Sequence, residues 1–288
     1  MSKKLNIFEM GPRDGLQNEK TLIPTANKIE LINRLSECGF EKIETSSFVS
    51  PKWVPQMADA GEVFAGITRK PGIRYTALTP NIKGYERAKA SGADEVAIFA
   101  SASEGFSQKN INCSIEESFE RFAPIVDAAK ADGIPVRGYV SCIVECPYDG
   151  PTPVQNVAMV SERLLQMGCY EVSLGDTIGA ATPETTEAML EAVLKVIPAE
   201  QLAGHFHDTK DLALANIMSS IKMGLRTFDS AIGGLGGCPY APGAKGNVST
   251  LAVAKMAKLL DYDTGLDIEK LEQTQEFILS IKEAAAAA

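Results

Sequence analysis

The sequence predicts an α/β fold, a closed (β/α)8 or TIM barrel in a single domain over residues 1–288, with an extra helix at its C-terminal end. Three observations carry this. The chain has 288 residues, a length that α/β barrels commonly use as one domain. About eight β-rich runs alternate with amphipathic stretches, and strands that alternate with helices pair in parallel. Five of those runs follow a glycine just past a helical stretch, at Gly39, Gly92, Gly133, Gly168 and Gly224. Glycine there supplies the left-handed cap that returns the chain to the sheet. A doubly wound open sheet usually carries Gly-x-Gly-x-x-Gly after its first strand; Gly11-Pro12-Arg13-Asp14-Gly15 is not that turn.

The elements follow in order. The first strand is expected over 4–10, and Ile29, Ile32 and Leu35 keep one face of the first helix apolar. Strands follow at 42–47, 73–79 and 95–101. Ser114 with Glu117 has the spacing of a capping box at a helix start. The fifth strand is 135–142. Thr152-Pro153 and Thr182-Pro183 each place a capping hydroxyl before a proline at the first helical position. The remaining strands are 170–175, 202–207 and 227–232. The stretch from about 267 to 283 reads as a helix outside the eight units, and the alanine run 284–288 is assigned no function.

Composition narrows the functional classes. Hydrophobic residues make up 45% and charged residues 23%, close to the soluble globular average, which excludes disorder and a fibrous repeat. A net charge of −9 disfavours nucleic acid and anionic membranes as partners, because both need a basic footprint. No apolar run approaches the ~18–20 residues of a membrane span. Six cysteines (Cys38, Cys113, Cys142, Cys146, Cys169 and Cys238) are too sparse for a disulfide scaffold. The N-terminus runs at once into apolar sequence with no targeting pattern, so a cytoplasmic protein is expected.

In a barrel the chemistry sits where strands end. Here the first strand ends in Arg13-Asp14, the second carries Glu44, and the sixth ends at Asp176. The seventh ends in His205-Phe206-His207, which holds the only two histidines in the chain. Side chains two apart on a strand point to one face, so two imidazoles there make a divalent-metal half-site. Asp14 is the natural third ligand, since strands seven, eight and one are neighbours in a closed barrel, and Asn247 can offer an amide oxygen. Nitrogen and oxygen ligands with room for substrate fit Mg²⁺ or Mn²⁺, and ligand type alone leaves Zn²⁺ open. Arg13 beside a metal ligand suits stabilisation of an oxyanion; its blander role is an ion pair with Glu44 or Asp176. The Gly-Gly-Leu-Gly-Gly-Cys segment at 233–238 reads as a connector, a phosphate cradle, or a lid carrying Cys238 to the site for acid/base chemistry.

At these residues the chain resembles the 3-hydroxy-3-methylglutaryl-CoA lyases of the DRE-TIM metallolyase superfamily. The matching segments are GPRDGLQNE at 11–19, IETSSFVSPKWVPQM at 43–57, KNINCSIEES at 109–118, RGYVSC at 137–142, CYEVSLGDTIG at 169–179, HFHDT at 205–209 and GLGGCPYAPGAKGN at 234–247. The resemblance implies cleavage of 3-hydroxy-3-methylglutaryl-CoA to acetoacetate and acetyl-CoA, as in leucine degradation and ketone-body formation. It implies that Asp14, His205, His207 and Asn247 hold Mg²⁺ or Mn²⁺ against the substrate's C3 hydroxyl and carboxylate. Arg13 would stabilise the enolate of the departing acetyl-CoA, Cys238 would take part in proton transfer, and Glu44 and Asp176 would hold Arg13 and the relay geometry. His205 counts among the catalytic residues as well as the ligands.

The chain departs from the family pattern at three places. Lys210-Asp211 stands where Tyr-Gly usually follows HFHDT, Glu145 where a glycine is usual, and Lys245 where a small residue is usual. Alternative functions include a lyase for a larger 3-hydroxy-3-alkylglutaryl-CoA such as the isohexenyl compound, and a catalytically silent barrel with a binding role. Lys20, Lys52 and Lys109 are candidates for CoA phosphates, with solvated surface charge as their ordinary role. A homodimer is expected from the resemblance and from how common twofold symmetry is.

Overall fold

The computed structural model describes the backbone of residues 3–19, 21–238 and 241–287, and side chains over the same span except at 237–244 and 284–287. Eight strands close into a barrel: β1 (Asn6–Glu9), β2 (Lys42–Ser47), β3 (Arg74–Leu78), β4 (Glu95–Ser101), β5 (Val136–Ser141), β6 (Val172–Asp176), β7 (Leu202–Phe206) and β8 (Thr227–Ser230). Every neighbouring pair is parallel, and β8 pairs with β1 to close the ring. The five glycines singled out in the sequence all have positive φ.

The outer ring contains α1 (Thr25–Ser36), α2 (Ala60–Gly66), α3 (Ile82–Ala90), α4 (Glu104–Ile111), α5 (Ile115–Asp132), α6 (Val154–Met167), α7 (Pro183–Val193), α8 (Ala213–Lys222) and α9 (Thr250–Leu259). The capping box at Ser114 and Glu117 forms at the start of α5, and Thr182 caps α7 ahead of Pro183. Thr152 does not cap α6. That helix begins at Val154 behind Pro153, and the buried Thr152 hydroxyl has no partner. The Thr152 N–H donates to the Val144 carbonyl (2.9 Å), which commits the residue to the hairpin of Glu145–Cys146 with Gly150–Pro151.

Several strand edges differ from expectation by one or two residues. The first barrel strand begins at Asn6, because Lys3–Lys4 pair instead with Tyr262–Asp263. The eighth ends at Ser230, because Ile232–Gly234 winds into a single tight turn. The extra helix is α10 (Ile268–Ala287); Leu271 and Ile278 are fully buried, and Arg34 of α1 covers the Phe277 ring at 4.3 Å. Among the described residues no helix is long and apolar enough to cross a membrane. Cys38, Cys113, Cys142, Cys146 and Cys169 are free and buried.

The core has two layers. The larger lies between the sheet and the helices. The smaller fills the barrel with Phe8, Met10, Leu78, Ala97 and Tyr139. One buried carboxyl ties the layers' edges together. Glu9 accepts hydrogen bonds from Gly11 N (2.7 Å), Ile232 N (2.8 Å) and Thr250 Oγ1 (2.7 Å). Complete burial pushes its pKa from 4.5 up to about 7, against those three donors. The folded chain therefore holds this proton more tightly than the unfolded chain. The group's contribution to stability is greatest below pH 4.5 and declines as pH rises to about 7. Glu9→Gln keeps the shape without the charge. Its stability relative to the unsubstituted protein is expected to climb by about 3 kcal/mol over that window, on the scale of ~1.4 kcal/mol per pKa unit. Urea unfolding at a series of pH values checks this; a difference that stays flat with pH would show Glu9 titrating normally.

Candidate active site

The site is assembled at the C-terminal rim from β1, β2, β6, β7 and the segment after β8. Arg13 and Asp14 lie on a five-residue π-helical turn, Gly11–Gly15, that continues directly from β1. Pro12 opens the turn, and Arg13 N and Gly15 N both donate to the Met10 carbonyl, at 3.2 and 3.1 Å. Wide turns of this kind recur at functional sites. Arg13 pairs with both Asp14 and Glu44. Glu44 reaches it because β2 bulges between Glu44 and Ser46, re-aiming its carboxylate.

His205 and His207 project to one side, with ring centroids 5.4 Å apart. The ligand atoms of Asp14, His205 and His207 all lie within 4.8 Å of one another. His205 Nδ1 stands 3.2 Å from Asp229 Oδ2. An ionised carboxylate only accepts, so Nδ1 carries a proton, and Nε2 faces Asp14, 3.8 Å away. Burial opposes a charge on His205, but Asp229 and Asp14 outweigh it and raise its pKa above the usual 6.5. His207 Nδ1 is buried without a hydrogen-bond partner. Burial, then the neighbouring His205, press the His207 pKa down to about 4, so this imidazole is neutral near pH 7. Burial opposes ionisation of Asp14 too, but Arg13 and the two histidines outweigh it and hold the carboxyl well below its usual range. A neutral imidazole with an unpartnered nitrogen, a second imidazole whose Nδ1 proton is committed to Asp229 and whose Nε2 faces the same point, and an ionised carboxylate fit a divalent cation.

Asn247 also reaches the site. It forms an isolated antiparallel bridge with His207, and its Nδ2 donates to Asp14 Oδ2 (2.8 Å) and to the Leu235 carbonyl (3.2 Å). Service as an oxygen ligand requires the amide to turn over. Gly236 sits against it with φ +110°, where a Cβ would fall 2.8 Å from that nitrogen. The backbone of Cys238 pairs with Ala241 in a short hairpin; its side chain lies outside what the structure describes, as does the whole of Lys20. Asp176 is buried on the same rim but is not paired with Arg13. Its carboxylate accepts from Ala180 N and Ala181 N, both at 3.0 Å, and burial raises its pKa to about 6. Lys52 and Lys109 are exposed, and Glu145 lies in the hairpin after β5.

Three residues escaped the sequence reading, and they link the rest. Tyr139 Oη donates to Glu44 Oε1 (3.0 Å) and accepts from Arg137 Nη1 (3.2 Å). Arg137 is fully buried; it grips Asp229 at 2.8–3.0 Å and Glu171 at 2.8 Å. Asp229 takes a further hydrogen bond from Ser173 Oγ (2.7 Å) and orients His205. Polar contacts thus run in a closed circuit from Asp14 through Arg13, Glu44, Tyr139, Arg137, Asp229 and His205 back to Asp14. The available signal was an arginine and a tyrosine at positions 137 and 139, on the inward face of an otherwise apolar strand.

A parallel eight-stranded barrel whose rim joins an Arg-Asp turn to a His-x-His strand end defines a class, the barrel enzymes with a site for a divalent cation. Comparison with known proteins narrows this. The HMGL-like family model matches residues 4–278, and the chain belongs to that family. The 3-hydroxy-3-isohexenylglutaryl-CoA/hydroxy-methylglutaryl-CoA lyase of Pseudomonas aeruginosa is 54% identical over 281 residues, 98% of this chain and 94% of its own. The cytoplasmic 3-hydroxy-3-methylglutaryl-CoA lyase of Mus musculus is 56% identical over 274 residues, 95% of this chain and 80% of its own. The crystal structure of the HMG-CoA lyase from Brucella melitensis superposes with a TM-score of 0.97 at 59% identity, covering 98% of this chain and 100% of its own.

Proposed function

We infer that this chain is a hydroxymethylglutaryl-CoA lyase, cleaving 3-hydroxy-3-methylglutaryl-CoA into acetoacetate and acetyl-CoA. The carrying observation is the joint presence, on one rim, of the Asp14, His205 and His207 cluster and of Arg13 pressed against it. Identity above 50% to lyases of that name, over nearly the whole chain, supports the same reading. The larger-substrate alternative is not favoured: the isohexenyl name appears on one of these relatives, beside the methyl one. The silent-barrel alternative is set aside on the same grounds.

In this reading Asp14, His205, His207 and Asn247 hold Mg²⁺ or Mn²⁺. Such an ion supplies Lewis acidity, lowering the pKa of a tertiary hydroxyl and fixing a carboxylate beside it. The chain's own groups do the remainder. Asp229 keeps His205 in the tautomer that leaves Nε2 free. Glu44 and Asp14 immobilise the Arg13 fork so that its charge faces the thioester oxygen as the C2–C3 bond breaks and negative charge collects there. Asp176, with a pKa of about 6, is assigned to accept the hydroxyl proton as the C2–C3 bond breaks, and Cys238 is assigned delivery of a proton to the carbon of the enolate. A single domain over 1–288, a homodimer and a cytoplasmic setting complete the proposal.

The test is acetoacetate release from 3-hydroxy-3-methylglutaryl-CoA by purified protein with Mg²⁺ or Mn²⁺, then with excess EDTA. Product that needs the cation, and vanishes with the chelator, is expected. Protein that binds the cation yet forms no product would redirect the assignment to another acyl-CoA. Protein with neither would end it.

A further inference from the structure

Two of the three places at which this chain departs from the family pattern, 210–211 and 245, lie together; the third, Glu145, lies apart in the hairpin after β5. Lys245 pairs with Asp211 across two separate segments, and its Nζ also lies 3.7 Å from Asp208 Oδ2. Asp211 follows His207 by four residues, and Lys245 precedes Asn247 by two. The backbones between them are already laced. Asp208 N donates to the Gly246 carbonyl (2.7 Å), Val248 N to the Phe206 carbonyl (3.1 Å), and Thr209 Oγ1 to the Lys245 carbonyl (3.2 Å). Asp211 adopts a left-handed backbone at φ +59°, and aspartate is among the few side chains that accept this conformation readily. From that turn its carboxylate reaches Lys245.

We propose that Lys245 and Asp211 form an electrostatic brace that positions Asn247 for the divalent cation and so sets the chain's affinity for it. The inference rests on the metal reading above. Both side chains are largely exposed, at 64% and 72%. An exposed pair contributes little to global stability, and salt weakens it. Its place gives it leverage all the same. The His207–Asn247 bridge is a single pair, with Lys245 paired to Gly237 on one side and Ser249 to Ala231 on the other, so a shift at residue 245 reaches Asn247 through two residues of backbone. Lys245 and Asp211 are therefore positioning residues, and the quantity they govern is cation affinity.

Mn²⁺ alone is titrated calorimetrically into the metal-free full chain and into Lys245→Met, Asp211→Asn, the double variant and Lys245→Arg. At about 0.02 M salt each single loss is expected to raise Kd about three- to fivefold, the range an exposed pair supports. The double variant should bind about as weakly as the weaker single one, because both substitutions delete one interaction. Lys245→Arg should restore affinity to within about twofold. Raising salt to about 0.5 M, where the screening length shortens to about 4 Å, should bring the unsubstituted protein to the level of the variants. Amide exchange gives a readout independent of the metal: the Asp208 and Val248 amides should exchange faster in Lys245→Met even with no Mn²⁺ present. If the unsubstituted protein binds Mn²⁺ and the variants match it, or if its Kd ignores salt, the brace is wrong and the metal reading stands. If the unsubstituted protein binds no Mn²⁺, the metal reading falls and the inference with it.

Discussion

Lysine in place of Arg13 is expected to lower kcat by about two to three orders of magnitude, the usual cost of removing one preorganised oxyanion donor. Affinity for Mn²⁺ should change little. The reason lies in the geometry. Arg13 spends Nε on Glu44 and Nη1 on Asp14, and its guanidinium lies over the Tyr139 ring at 5.7 Å. Burial works against its charge, but Glu44 and Asp14 more than compensate and hold it protonated throughout the working range. A lysine ammonium is a point charge. It cannot satisfy two carboxylates in fixed directions and still face a third oxygen. Steady-state kinetics with 3-hydroxy-3-methylglutaryl-CoA, together with Mn²⁺ titration, separates the two roles. Loss of kcat with cation binding intact places Arg13 at the reacting atoms. Equal loss of both would make it a support for Asp14 only.

Asp229→Asn should carry the second large effect, this time on binding and stability together. The carboxylate orients His205 and neutralises Arg137, and both Asp229 and Arg137 are shut off from water. An asparagine can turn an amide N–H toward His205 and so favour the wrong tautomer. Loss of a partner of this kind typically costs 10–100-fold in metal affinity, and that range is expected here. Breaking a buried ion pair by removing one partner destabilises by about 3–5 kcal/mol; the remaining contact of Arg137 with Glu171 should hold the cost to the lower end. Burial resists the charge on Asp229, yet Arg137 and His205 hold its pKa well below the usual 3.8. Its stabilising contribution is therefore complete above pH 3.8 and is lost only as pH falls toward the depressed value. The variant should consequently be less stable at neutral pH, and the gap to the unsubstituted protein should narrow on acidification. Urea unfolding at pH 7 and in acid measures both. An unchanged midpoint at pH 7 would mean that Glu171 alone suffices for Arg137.

Much of the architecture was legible without coordinates because its signals are local. A helix followed by a left-handed glycine and a β-rich run reports itself in any register, and five such junctions among about eight strands in 288 residues leave few ways to close a parallel sheet. His205 and His207 could be placed on one face because strand periodicity is two. The misread cap at Thr152 fails for the converse reason. The hydroxyl stands in the right place for a cap, but a hairpin seven residues long had already claimed its backbone.

The rim residues show the same division. Arg13, Asp14, Glu44, His205, His207 and Asn247 were nominated from strand ends, and the barrel brings all six to one region. Asp176 arrives on the rim yet binds the backbone of its own loop, since two N–H groups four and five residues on are nearer than any cation. What the sequence determined by itself was the number and kind of units, the end of the barrel that carries the chemistry, and the residue types available there. Only the tertiary structure decided which charges meet. Arg137 pairs with Asp229 across 92 positions and Tyr139 bonds Glu44 across 95. Contacts at that separation are set by strand order, by the bulge in β2 and by the inward turn of each side chain, and these exist only once the ring has closed.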